Sequence, residues 1–217
     1  MNGFYGFNYY VPFPYSMRLY PYQAAVQGLN PIGRANDQYI HRKSADLKAA
    51  MRTLWEQHIT WTRMTITSLV FKLPDANLVV DRLLQNPVDQ GKTLARFYGK
   101  KIGDRYAVLL NEHLTIAAEL VKAAMAGDNQ KADELDKEWH RNGDDIARFL
   151  SRINPFINEQ AMREMFYEHL ALTKLEAVCM ITKKYSEEIK VYDRIEEQAL
   201  MMSDELSNAI TRQFMLF

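Results

Sequence analysis

Trp55-Glu56-Gln57-His58-Ile59-Thr60-Trp61-Thr62-Arg63 is the stretch on which the fold turns. It lies inside a long run of helical periodicity. At about 100° per residue, Leu47, Met51, Leu54, Trp61, Thr62, Thr65 and Leu69 fall within about 60° of His58. A titratable ring therefore stands at the centre of an apolar stripe. The same pattern recurs at Glu112-His113 and Glu168-His169.

Working outward, the first long helix is expected from Ser44, a fair N-cap, to Leu73-Pro74-Asp75, where proline disfavours helix in the residue before it. Two short pieces follow, near Asn77–Gln85 and Pro87–Phe97, split at Asn86-Pro87 and closed by Gly99. Four more long helices are expected at Lys100–Ala126, Asn129–Asn154, Asn158–Thr182 and Ser186–Phe214, with short turns between them. No alternating strand pattern interrupts them. Glu112-His113-Leu114 matches Glu168-His169-Leu170, so these four read as two repeated hairpins. The expected fold is an all-α, antiparallel up-and-down bundle of five long helices, ferritin-like in arrangement, with the first helix added to the two hairpins. Residues 44–217 form this domain and residues 1–43 an arm and linker.

The arm has a different chemistry. Residues 1–22 place nine Phe and Tyr rings among Gly3, Gly6, Pro12, Pro14 and Pro21, with Arg18 as the one charge. Proline and glycine prevent a regular element there. Such a segment either lies over the body and buries its rings or serves as an adhesive segment for a second copy or another protein. Charge is balanced, with 27 Lys plus Arg against 27 Asp plus Glu. No basic stripe points to nucleic acid. No apolar run approaches a membrane span and no signal peptide begins the chain. The single cysteine, Cys179, excludes an intrachain disulfide and suits a reducing, cytoplasmic interior.

Every long helix presents a polar group on its apolar stripe: His58, His113, Asn142, His169 and, in the last helix, Glu196 with Asp193 beside it. Glu176 shares the face of His169, and counting from the turn near Tyr185 sets it opposite Asp193 or Glu196. The three histidines and Asn142 lie near their helix midpoints, which meet at one level in an antiparallel bundle. Imidazole and carboxylate directed inward from different helices are the donors with which bundles hold divalent iron, manganese or zinc. The candidate ligands are His58, His113, His169, Glu176 and Glu196, with Glu112, Glu168, Asn142 and Asp193 as partners that orient them. The alternative is a set of core histidines satisfied by hydrogen bonds, with His113–Asn142 and Glu176–Tyr192 as pairs. The Glu-x-x-His spacing of di-iron bundles is absent, as are phosphate loops and nucleophile elbows.

Leu54 to His58, Trp61-Thr62-Arg63, Leu73-Pro74-Asp75, Arg82 to Pro87, Asn111 to Leu114, Ala126-Gly127-Asp128, Tyr167 to Leu170 and Ile195 to Met202 resemble a family of small all-helical proteins of spore-forming bacteria. The resemblance spans about residues 45–214 and leaves out the aromatic arm. Members are sometimes labelled acetylglutamate kinase, a label this chain rejects because it has neither the glycine-rich phosphate contacts nor the α/β pattern such a kinase needs. The resemblance implies an association with spores and no established activity. Two readings follow: a bundle that stores, senses or does redox chemistry with a transition metal, or a non-enzymatic structural or interaction protein that self-associates through its arm.

Overall fold

The computed structural model describes residues 31–215, with side chains described over 43–214; the aromatic arm lies outside the described residues. The described chain is all-α. Its six helices are α1 (Pro31–Val70), α2 (Ala76–Tyr98), α3 (Lys100–Ala126), α4 (Asn129–Ile153), α5 (Glu159–Ile181) and α6 (Tyr185–Met215). None is long and apolar enough to cross a membrane.

Two expectations about these elements are corrected. Residues 31–43, read as linker, belong to α1, which opens on Pro31; a proline at the first helical position gives up an N–H that has no intrahelical partner anyway. The connector read as two short pieces is one helix, α2, that runs through Pro87. Proline inside a helix costs about 3 kcal/mol through its missing N–H and its clash with the preceding turn. Tertiary burial outweighs this cost. Val79, Leu83, Asn86, Pro87, Gln90, Gly91 and Leu94 are all buried, and Asn86 Nδ2 donates to the Leu54 carbonyl of α1 at 2.8 Å. The bundle thus has six helices where five long ones were expected.

Each helix packs on its neighbours in sequence, and α6 returns to α1, closing a circuit in which α1 also touches α3 and α5. Pairing around the circuit is antiparallel, so α1 runs parallel to α3 and α5. Between α1 and α6 the contacts run Ser44–Thr211, Arg52–Asp204, Thr60–Tyr192 and Arg63–Glu188, one number rising as the other falls. Between α4 and α5 they run Ser151–Glu159, Asp144–Arg163 and Asp136–Lys174. The α2–α3 seam is closest where Gly91 lies against Gly103. A Cβ built on Gly91 would stand 2.6 Å from the Gly103 carbonyl oxygen and 2.8 Å from Ala107 Cβ.

The architecture is a threefold repeat of one hairpin, α1–α2, α3–α4 and α5–α6. The turn is the same each time. Lys72 (φ 52°), Gly127 (φ 72°) and Lys183 (φ 61°) take the left-handed conformation. The next N–H reaches back five residues: Leu73 to the Ser68 carbonyl at 2.9 Å, Asp128 to Ala123 at 3.1 Å and Lys184 to Cys179 at 2.8 Å. These are three Schellman caps in equivalent positions. They place α1–α2 as a third copy of the hairpin that the sequence reading found twice.

Two tests follow from this packing. Gly91→Ala is expected to lower unfolding free energy by about 2 kcal/mol or more in urea titrations, since its methyl meets main chain that cannot step aside. Lys183→Gly, which puts at the third turn the residue found at the second, is expected to gain up to about 1 kcal/mol by relieving a left-handed lysine.

Candidate functional site: three histidine relays in the core

His58, His113 and His169 are all buried, one on the first helix of each hairpin. His113 and His169 are each held by a carboxamide from the second helix of their own hairpin. His113 Nδ1 bonds Asn142 Oδ1 at 2.8 Å, and Asn142 Nδ2 donates to the Leu109 carbonyl at 3.1 Å. His169 Nδ1 bonds Gln198 Oε1 at 3.0 Å, and Gln198 Nε2 donates to the Met165 carbonyl at 2.8 Å. At the matching place for His58 stands Asn86, whose Nδ2 donates to the Leu54 carbonyl at 2.8 Å and whose Oδ1 accepts from Gln90 Nε2 at 2.9 Å. In every copy the carbonyl belongs to the residue four before the histidine, one turn along the same helix.

The relay fixes the tautomer of His113 and His169. An amide whose N–H₂ is committed to a main-chain carbonyl turns its oxygen to the ring, so the ring must donate from Nδ1. Nε2 is then left with its lone pair. The rings are also neutral. Burial lowers the pKa of His113 from 6.5 to about 3, with His169 as the next cause, and lowers that of His169 to about 4. His58 lies well below its ordinary value, through burial first and then through its His169 and His113 neighbours. The His58 and His169 rings are 5.6 Å apart, centroid to centroid, with Trp55 edge-on to both at 5.7 and 6.3 Å. His113 instead has Trp139 at 5.3 Å and Phe166 at 6.0 Å. The three imidazoles thus share one interior, with two of them adjacent and the third set apart behind aromatic rings.

The carboxylates lie elsewhere. Glu196 and Asp193 are exposed on α6, as are Glu112 on α3 and Glu168 on α5. The inward face of α6 is instead Glu188, Val191, Ile195, Gln198 and Met202, while Ile189 is 54% exposed. The misphasing is at the start of the helix, where Glu188 rather than Ile189 faces inward; Tyr192 packs against the core and Ser203 and Ile210 are buried. Glu176 is buried as expected, but it faces Arg63 and Glu188 rather than Asp193, Glu196 or Tyr192. Arg63 Nε and Nη2 bond Glu188 at 2.7 and 2.9 Å, while Glu176 Oε1 stands 3.8 Å from Arg63 Nε with no hydrogen bond. One guanidinium between two buried carboxylates can match only one charge. Burial, then the Glu188 charge, raise the Glu176 pKa from 4.5 to about 8, so it is protonated at neutral pH.

Sequence reasoning found Asn142 but missed Asn86, Gln198 and Glu188. The available signal was spacing: Asn86, Asn142 and Gln198 recur at one interval, as the three histidines nearly do. His140 is half-buried and bonds its own helix at the Asp136 carbonyl, 2.8 Å away. Cys179 is buried and free. Among the described residues, no three His, Cys, Asp or Glu side chains are grouped so as to hold one ion as placed. What the core offers is a histidine pair, His58 and His169, with His113 as a third ring of the same kind.

These shifts give stability a maximum near neutrality. The lowered histidine pKa values mean that the unfolded chain binds more protons as pH falls below about 6.5, so stability is lost between there and about pH 4. His169 alone contributes on the order of 3 kcal/mol to that loss. The raised Glu176 value works in the other direction: the folded chain holds the extra proton, and stability declines as pH rises from 4.5 towards 8. Urea titrations across this range should show His169→Gln with a shallower acid limb and Glu176→Gln with a flatter alkaline one. Slopes unchanged from wild type would refute these assignments. No protein-family model matches the chain, and no match to it was found among the curated proteins or the solved structures.

Proposed function

We propose that this chain is a metal-binding helical bundle that takes up a divalent transition ion between buried imidazoles, with His58 and His169 as the primary ligands and His113 as the third. One observation carries the reading. Neutral rings stand in a dry interior, and His113 and His169 are held through Nδ1 by a carboxamide that is itself anchored to main chain, which keeps their Nε2 lone pairs bare. A ligand histidine is oriented in the same way when its other nitrogen donates to a fixed acceptor. The exchange of carboxylate for nitrogen donors narrows the ion. With Glu176 engaged by Arg63 and Glu196 at the surface, an imidazole set favours zinc or iron over manganese. Ligands directed inward from several helices are the principle of ferritin-like bundles, and the analogy extends to that principle rather than to helix number. Storage or sensing suits a closed nitrogen site, and redox chemistry would need iron there.

A second reading has its own support. The carboxamide-to-carbonyl bond recurs in all three hairpins, which is what a device for fixing helix register would do, and a register device needs no ion. The chain would then be a non-enzymatic structural or interaction protein, spore-associated by its resemblance, with residues 1–22 as the adhesive part.

Metal analysis of the full chain purified without a histidine tag separates the two. About one ion per chain, lost in both His58→Gln and His169→Gln, is the result expected from the first reading. Metal-free protein whose melting temperature does not respond to added zinc or iron(II), in wild type and variants alike, would overturn it. Self-association abolished by deletion of residues 1–22 would then favour the second.

A further inference from the structure

Exposed apolar side chains gather along the α1–α6 seam, at the end of the bundle where α1 turns into α2. Met64 and Phe71 lie two turns apart on one face of α1, and Tyr185 and Ile189 lie one turn apart on one face of α6. The Phe71 and Tyr185 rings stand 6.1 Å apart. Thr60 and Tyr192, next on the same two faces, join hydroxyl to hydroxyl at 3.3 Å, so the two faces form one continuous surface. Met64, Phe71, Tyr185 and Ile189 are between 41% and 54% exposed, and Leu73 and Leu78 are exposed at the same end. Single apolar residues are ordinary on a surface, whereas a contiguous set marks a place that a partner covers.

A second copy of the chain supplies a cover of matching chemistry. Residues 1–22 carry nine Phe and Tyr rings and one charge, Arg18. Lys72 and Lys183 are exposed beside the patch, and cations there favour aromatic rings over aliphatic side chains. The arm precedes the far end of α1. That helix opens at Pro31, and at 1.5 Å per residue Met64 lies about 50 Å and Phe71 about 60 Å from it. Residues 23–30, fully extended, span about 28 Å. An arm of the same copy would therefore reach Phe71 only with about ten more of its residues drawn out straight. In a second copy set antiparallel along α1 the arm starts where the patch lies, and the exchange is reciprocal and closed. We propose that the surface of Met64, Phe71, Tyr185 and Ile189 is the docking site for residues 1–22 of a second copy, giving a dimer by exchange of arms. This docking names the surface that the interaction reading requires and rests on that reading; it is independent of any ion at the imidazoles.

Sedimentation of the full chain over a range of concentrations should show a reversible dimer. Phe71→Ser with Ile189→Ser, both at exposed positions, should weaken it at least tenfold while the melt stays cooperative, and deletion of residues 1–22 should do the same. Mixing the two variants, one keeping its arm and the other its patch, should restore a one-to-one complex. In the unmodified chain, photo-oxidative tyrosine coupling of a nitrogen-15-labelled and unlabelled mixture should link arm tyrosines to Tyr185 across the two isotopes. A chain monomeric throughout, or one that dimerises without its arm, would overturn the docking and the interaction reading together. Dimerisation that needs the arm but ignores the patch substitutions, or arm links to Tyr185 confined to one copy, would overturn the docking alone.

Discussion

A buried imidazole is tolerable only if its N–H finds an acceptor and its charge is suppressed, and this bundle meets both conditions at His113 and His169 by one device, with Asn86 in the matching place beside His58. The ring gives its Nδ1 proton to a carboxamide, and the carboxamide gives its own proton to the carbonyl one turn before the ring. Each link crosses from the first helix of a hairpin to the second, so the hydrogen bonds that satisfy the histidine also set the register of the two helices. A slip by one residue would strand an amide and an imidazole together. Buried polar groups of this kind contribute more to uniqueness than to net stability, since apolar replacements of equal shape would often be as stable.

Repetition explains the geometry, and departures from it mark where the copies became specialised. The seams between hairpins differ: Gly91 against Gly103 at one, the Arg63–Glu188 pair at another, and an open apolar space at the third. Glu176 has no acidic counterpart in the other hairpins, where the equivalent positions are Thr65 and Leu120. Its proton and the Arg63–Glu188 pair form a charged seam beside the neutral histidine core. The two kinds of polar interior are kept apart along the bundle, as the roughly 10 Å rise between His169 and Glu176 on one helix requires.

Much of this was legible in the residues. Helical periodicity gave the long helices and their ends, because caps and breakers such as Asp128, Asn158 and Gly127 act locally. The burial of all three histidines and the Asn142 contact followed from face and height. What failed had tertiary causes. Pro87 reads as a break by its local chemistry and is overridden by what α2 buries. Glu196 and Asp193 were placed inward by a helical phase that α6 does not keep, since Glu188 and Gln198 take the inward positions. Gln198 was missed because an amide in an apolar stripe carries no metal-ligand signature. The third hairpin escaped notice because Gln57-His58-Ile59 shares only the histidine with its two counterparts.

The account rests on where the imidazole protons are. Nitrogen-15 correlation spectra of the three core histidines at neutral pH read this directly, through the coupling patterns of Nδ1 and Nε2 with the ring protons. His113 and His169 protonated at Nδ1 with bare Nε2 nitrogens, and all three rings neutral well below pH 6, are the predicted result. Rings protonated at Nε2, or rings that charge near pH 6.5 as free histidine does, would contradict it.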